Sequence, residues 1–183
     1  MNLYAYAGSN PISFSDPFGL AACPKDVGGD GKTATVDDCS ETIQTEWAKT
    51  HIVVNEATDW KDVDAVLKSA VIRTSMDLRK TLYVYAGQEP GHSVEGRHAE
   101  GGAVDISRID GVKFSLMDDA SAAALGNAIG AGIANRLPFG QVKMVFTPGM
   151  AFRFDRPMSL EQNRALIGAH RDHVHVSVIG STP

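Results

Sequence analysis

Cysteine is almost missing from this chain: Cys23 and Cys39 are its only two in 183 residues. Both lie near the N-terminus, too few for a cysteine-ligated metal site and far in sequence from most of the histidines. They are either free thiols or a disulfide closing the loop from Pro24 to Asp38, which would stabilise the fold by about 3 kcal/mol in an oxidising compartment. Basic residues are also few. The 17 Lys and Arg are outnumbered by 22 Asp and Glu, giving a formal net charge of -5. That balance argues against a protein that binds nucleic acid by neutralising phosphates. No apolar run approaches the ~20 residues of a spanning helix, and no export signal is expected at the start. What the chain does have is 43% hydrophobic residues, enough to bury a core the size of one ordinary domain.

Periodicity divides the chain. Residues 21–45 are rich in Gly, Asp, Thr and Ser and read as linker and loop. From Asp59 to Lys80, Val63, Val66, Leu67, Ala70, Val71 and Leu78 recur at three- and four-residue steps, predicting a helix. Leu82 to Ala86 predicts a strand, and Ala103-Val104-Asp105-Ile106 another. Asp110-Gly111 predicts a hairpin tip. A helix is expected over Ala120 to Leu137, with Leu125, Ile129 and Ile133 on one face, and a strand from Val142 to Phe146. Ser159-Leu160-Glu161-Gln162 is a capping box opening a short helix. Val174 to Ile179 is the last expected strand. Strands and helices at irregular spacing predict an α+β fold.

Two segments carry chemistry. In the first, His98 precedes Asp105 by seven residues across a turn containing Gly101 and Gly102. Glycine takes positive φ without steric cost, so such a turn can fold back tightly. In the second, Asp172-His173-Val174-His175, residues two apart on a strand face the same side, so His173 and His175 can look into one cleft while Val174 and Val176 face the core. Four of the six histidines lie in or beside these segments, His170 included. Two imidazoles and a carboxylate form a ligand set for zinc that keeps a position open, and such a metal brings the pKa of its water to about 7.

These residues resemble the zinc D-Ala-D-Ala carboxypeptidases and the phage endolysins that cut L-alanyl-D-glutamate bonds, an architecture shared with lysostaphin and hedgehog-type domains. His98, Gly101, Ala103 and Asp105 match the H-x-x-G-x-A-x-D of that family without a gap. Asp172 and His175 match its later D-x-x-H, and His173 and His175 its H-x-H. The resemblance covers Leu82 to Ile179. It implies a small central antiparallel sheet flanked by helices, with a zinc cleft on the sheet. It implies His98, Asp105 and His175 as zinc ligands, Asp172 as general base, and His173 as a hydrogen-bond or oxyanion partner. The family's substrate-clamping Arg is missing, because Tyr85-Ala86-Gly87-Gln88 stands in its place; Arg73, Arg97 and Arg108 are the candidate substitutes. Gly96 stands where the family has Ser.

A second resemblance concerns residues 1–20. Tyr4, Tyr6, Asn10, Pro11, Asp16, Pro17, Gly19 and Leu20 are similar to the Y-x-Y…N-P…D-P-x-G-L end of the core in Rhs and YD-repeat proteins. It implies cleavage after Leu20 and a C-terminal toxin domain, here residues 46–183 behind a 21–45 linker. The shell of the parent chain would deliver it to the periplasm of target bacteria, where it would hydrolyse peptidoglycan stem peptides unless held by a cognate immunity protein. The rival readings are a nucleobase deaminase, a metal-dependent nuclease and a non-catalytic zinc-binding module. His98-Ala99-Glu100 fits the deaminase H-x-E, but no P-C-x-x-C follows it. A nuclease would draw on Arg97, Arg108, Arg164 and Arg171.

Overall fold

The computed structural model describes residues 14–15, 23–24, 36–55, 60–85, 98 and 100–179, with side chains for 44–55, 60–84, 98 and 100–179. The chain parts into two compact units, Met1–Ala48 and Lys49–Pro183. In the first, β1 (Phe14–Ser15) pairs antiparallel with β2 (Cys23–Pro24). Helix α1 (Val36–His51) runs across the boundary between the units. Its start corrects the expectation of loop throughout 21–45. Lys49 and His51 place basic groups in its last turn, which suits the helix dipole. The Gly- and Thr-rich stretch before it hid that start. Apart from Phe14–Ser15, the Rhs-like junction lies outside the described residues, as do the side chains of Cys23 and Cys39.

The second unit is α+β. Its sheet has seven strands among the described residues: β3 (Ile52–Val54), β4 (Leu82–Tyr85), β5 (Ala103–Ile109), β6 (Val112–Lys113), β7 (Val142–Phe146), β8 (Ala151–Arg153) and β9 (Val174–Val178). The order is β3-β4-β5-β9-β7-β8, with β6 paired to β5. The sheet is larger than expected and mixed rather than antiparallel. β3 and β4 run parallel, because helix α2 (Ala65–Leu78) carries the chain back between them as a crossover. The other pairs are antiparallel.

Alternation along the central strands separates two faces. Val84, Val104, Ile106, Val145, Val174 and Val176 point to one side and are fully or almost fully buried. Helix α3 (Asp119–Ala134) lies on this side. Its approach depends on glycine: a Cβ on Gly130 would stand 2.9 Å from Val145 Cγ1 and 2.8 Å from Thr147 Cγ2. Helix α2 packs against α3, and an Arg136–Asp77 ion pair ties their C-terminal ends. Three expected core positions differ, Leu78 being only half-buried. Val66 is 41% exposed, and Leu125 is only half-buried, because Gly126 and Gly130 take the sheet-facing side of α3.

Local signals hold where they are strong. Ser159 and Gln162 form the reciprocal capping box of helix α4 (Leu160–Ala169). Asp110 and Gly111 both adopt left-handed conformations, φ 49° and 83°, as a two-residue hairpin turn between β5 and β6 requires.

Candidate metal centre

The site is built on the sheet face opposite α3. Asp105 of β5 and His175 of β9 are cross-strand partners. Directly opposed residues hold their Cβ atoms about 4.5–5.5 Å apart, so their side chains must meet. They do: His175 Nδ1–H donates to Asp105 Oδ1 at 2.7 Å. The third member comes from the turn before β5. Gly101 N–H donates to the His98 carbonyl at 3.0 Å, closing the turn. Gly101 has φ 70°, and a Cβ there would stand 2.0 Å from the Asp62 carbonyl oxygen. Asp64 N–H then pins the turn by donating to the Gly101 carbonyl at 2.9 Å. Of the two glycines expected to provide freedom, Gly101 is the one in the left-handed region. Gly102 continues the ladder, its carbonyl accepting from Val178 N–H at 2.8 Å. Folded back this way, His98 places Nε2 3.3 Å from Asp105 Oδ2, and its ring meets that of His175 edge-on at 5.2 Å.

One ligand atom from each of His98, Asp105 and His175 therefore lies within 4.8 Å of the others. Their side chains are 10–13% exposed. Burial by itself would raise the Asp105 carboxyl, but hydrogen bonds from His175 and His98 outweigh it and hold the group ionised, well below the usual carboxylate range. The set fits a divalent metal. Ligand atoms about 2.0–2.1 Å from a tetrahedral zinc stand about 3.3–3.4 Å from each other. The His98–Asp105 separation already has that value, and the His175–Asp105 pair would open by about half an ångström. Ser107 and Ser177 flank the group on β5 and β9, and their buried hydroxyls have no hydrogen-bond partner among the described residues. Buried polar groups of this kind call for water or an ion.

Asp172 is not a member of the converged group. Its carboxylate is 66% exposed and accepts from His173 Nδ1–H at 2.7 Å. The link from His173 to the centre is His170, at the C-terminus of α4. Its ring lies 4.7 Å from His173, 5.9 Å from His175 and 4.7 Å from Phe146. His170 Nδ1–H donates to the Leu166 carbonyl at 2.7 Å, which leaves Nε2 as the free acceptor. Burial lowers its pKa, and the neighbouring His173 and His175 add to the shift. Sequence reasoning counted His170 in the dense histidine run but gave it no role; its placement at a helix end beside β9 was the missing information.

The candidate clamps are not gathered at the centre. Arg108 lies over the Tyr83 ring at 5.5 Å. Arg73 of α2 shares a separate cleft with Arg136, just past the end of α3. Arg97, Gly96, Gly87 and Gln88 lie outside the described residues. Arg171, which precedes Asp172, is paired with Asp119 at 2.8 Å.

The chain matches no protein-family model and no curated protein. Among the described residues, no helix is long and apolar enough to cross a membrane.

Proposed function

We propose that Lys49–Pro183 is a zinc-dependent peptidase acting on peptidoglycan stem peptides, the toxin domain of an Rhs or YD-repeat parent. It would be delivered to the periplasm of target bacteria and neutralised in the producer by an immunity protein. The observation that carries this reading is the convergence of His98, Asp105 and His175, three residues that the sequence resemblance also singles out, on one strand pair and one glycine turn. His98 Nε2, His175 Nδ1 and an Asp105 oxygen would hold the ion. When bound, zinc supplies an acidified water and polarises the carbonyl of the scissile amide.

The chain's own residues handle the proton. Asp172 holds His173 Nδ1–H, which leaves His173 Nε2 as the accepting atom and stabilises the imidazolium that forms. This pair takes a proton as water adds to the amide carbon. It returns the proton to the amine nitrogen as the C–N bond breaks. His170 packs against His173 and restricts its ring. In this reading His173 is the base and Asp172 orients it, a different division of roles from the one that the resemblance implies, in which Asp172 takes the proton itself.

The test is digestion of purified peptidoglycan, with released fragments identified by mass spectrometry and metal content measured on protein purified without a His tag. One zinc per chain and cut stem peptides are expected. Asp172→Asn should keep the zinc and lose activity by orders of magnitude. Intact stem peptides, with killing only on cytoplasmic expression, would move the assignment to a nuclease or deaminase.

A further inference from the structure

A concavity of about 410 Å³ lies at the start of α3 and reaches Asp172. One wall is apolar, made of Phe114 and Met117 from the turn before α3 and Pro148 from the loop after β7. The other is charged: Asp119 at the start of α3, with Arg171 and Asp172 from the segment leading into β9. Asp172 joins the cleft to the catalytic group, since the same carboxylate holds His173.

The charges are arranged as a pair that can exchange partners. Arg171 Nη2–H donates to Asp119 Oδ1 at 2.8 Å, and the two side chains are 66% and 89% exposed. An ion pair that open to water contributes little and separates at low cost. A ligand bearing one carboxylate and one ammonium replaces it by two pairs, with the ligand carboxylate on the planar Arg171 fork and the ammonium on Asp119. A purely cationic ligand would leave Arg171 unmatched, and a purely anionic one would face Asp119 and Asp172. The apolar wall suits a short methylene chain carrying that zwitterionic end.

We propose that this cleft binds the free end of a diamino acid in the substrate peptide, a side chain ending in both an ammonium and a carboxylate, as in a diaminopimelate residue. The assignment rests on the reading of the protein as a stem-peptide hydrolase. It makes Arg171 and Asp119 specificity residues that touch the substrate away from the bond being cut.

Binding tests it without any bond being broken. The probes are γ-D-glutamyl-meso-diaminopimelate and γ-D-glutamyl-L-lysine, each amidated at its C-terminal carboxyl so that they differ only at the distal end. Titration of the zinc-loaded full chain would be followed through the Met117 methyl resonance. The diaminopimelate probe should bind about threefold to fivefold more tightly than the lysine probe. Arg171→Gln should remove that difference by weakening the diaminopimelate probe alone, whereas Asp119→Asn should weaken both. Equal affinities in the wild type, or discrimination that survives Arg171→Gln, would overturn the assignment. Arg171-dependent discrimination by a chain that leaves peptidoglycan intact would keep the cleft and refute the hydrolase. Digestion of peptidoglycan without discrimination would refute the cleft alone.

Discussion

The two faces of the central sheet are made by the same strands yet answer to different demands. On β5 and β9, Val104, Ile106, Val174 and Val176 point toward α3 and are completely buried. Between them, Asp105, Ser107, His175 and Ser177 point the other way. The first set is interchangeable in chemistry and constrained in volume. The second is constrained in chemistry: a buried carboxylate is tolerated because two imidazoles meet it. A one-residue register slip would exchange the faces, so the apolar side also aligns the ligands.

The sharpest way to break the comparison is to damage one face and read the other. Asp105→Ala should abolish stoichiometric zinc and reduce hydrolysis by about a thousandfold or more, with the far-ultraviolet circular dichroism retained. A variant that keeps one zinc per chain would show that the face does not hold the metal through Asp105. Ile106→Ala, the adjacent residue, should do the reverse. It should lower the unfolding free energy by about 2–5 kcal/mol in a denaturant titration, while the folded fraction still binds zinc. Loss of metal from well-folded Ile106→Ala protein would mean the two faces are not separable.

Gly101→Ala sits between these extremes. The new methyl meets the Asp62 carbonyl, and the left-handed φ disfavours any side chain. A stability loss of about 1–3 kcal/mol is expected, together with weaker zinc affinity by competition with a chelator, because His98 is displaced. Unchanged zinc affinity would show that the turn does not aim His98.

The smallest effect is expected at the sheet edge. Asp155 is lowered to about 2, chiefly by its hydrogen bonds from Arg153. A depressed carboxylate stabilises the fold fully above its unfolded pKa of about 3.9, and that contribution disappears as pH falls through about 2. Asp155→Asn should therefore differ slightly from wild type at neutral pH and converge with it in acid. A gap in melting temperature that widens on acidification would contradict the sign.

Much of this was legible in the sequence wherever the determinant is local. β7, β9, the Ser159 capping box and the Asp110-Gly111 turn are each specified within a few residues. The three candidate ligands were singled out by the resemblance, since spacing alone left both His173 and His175 facing the cleft. Ile52–Val54 and Ala151–Arg153 are too short to show a period, and their strand character comes from partners elsewhere in the chain. The parallel β3–β4 pairing depends on the α2 crossover, which periodicity alone does not orient. His170 and the Arg171 cleft depend on where α4 delivers the chain, which no spacing encodes.

β9 follows every other described strand in sequence but sits inside the sheet, between β5 and β7. Its His175 reaches Asp105 over a sequence separation of 70 residues. During synthesis β5 and β7 must therefore wait as open edges, with Asp105 lacking its strongest partner, until Val174–Val178 leaves the ribosome and closes the gap. The candidate metal centre is therefore the last part of the sheet to be completed, and a nascent or truncated chain lacking β9 has no assembled His98–Asp105–His175 group.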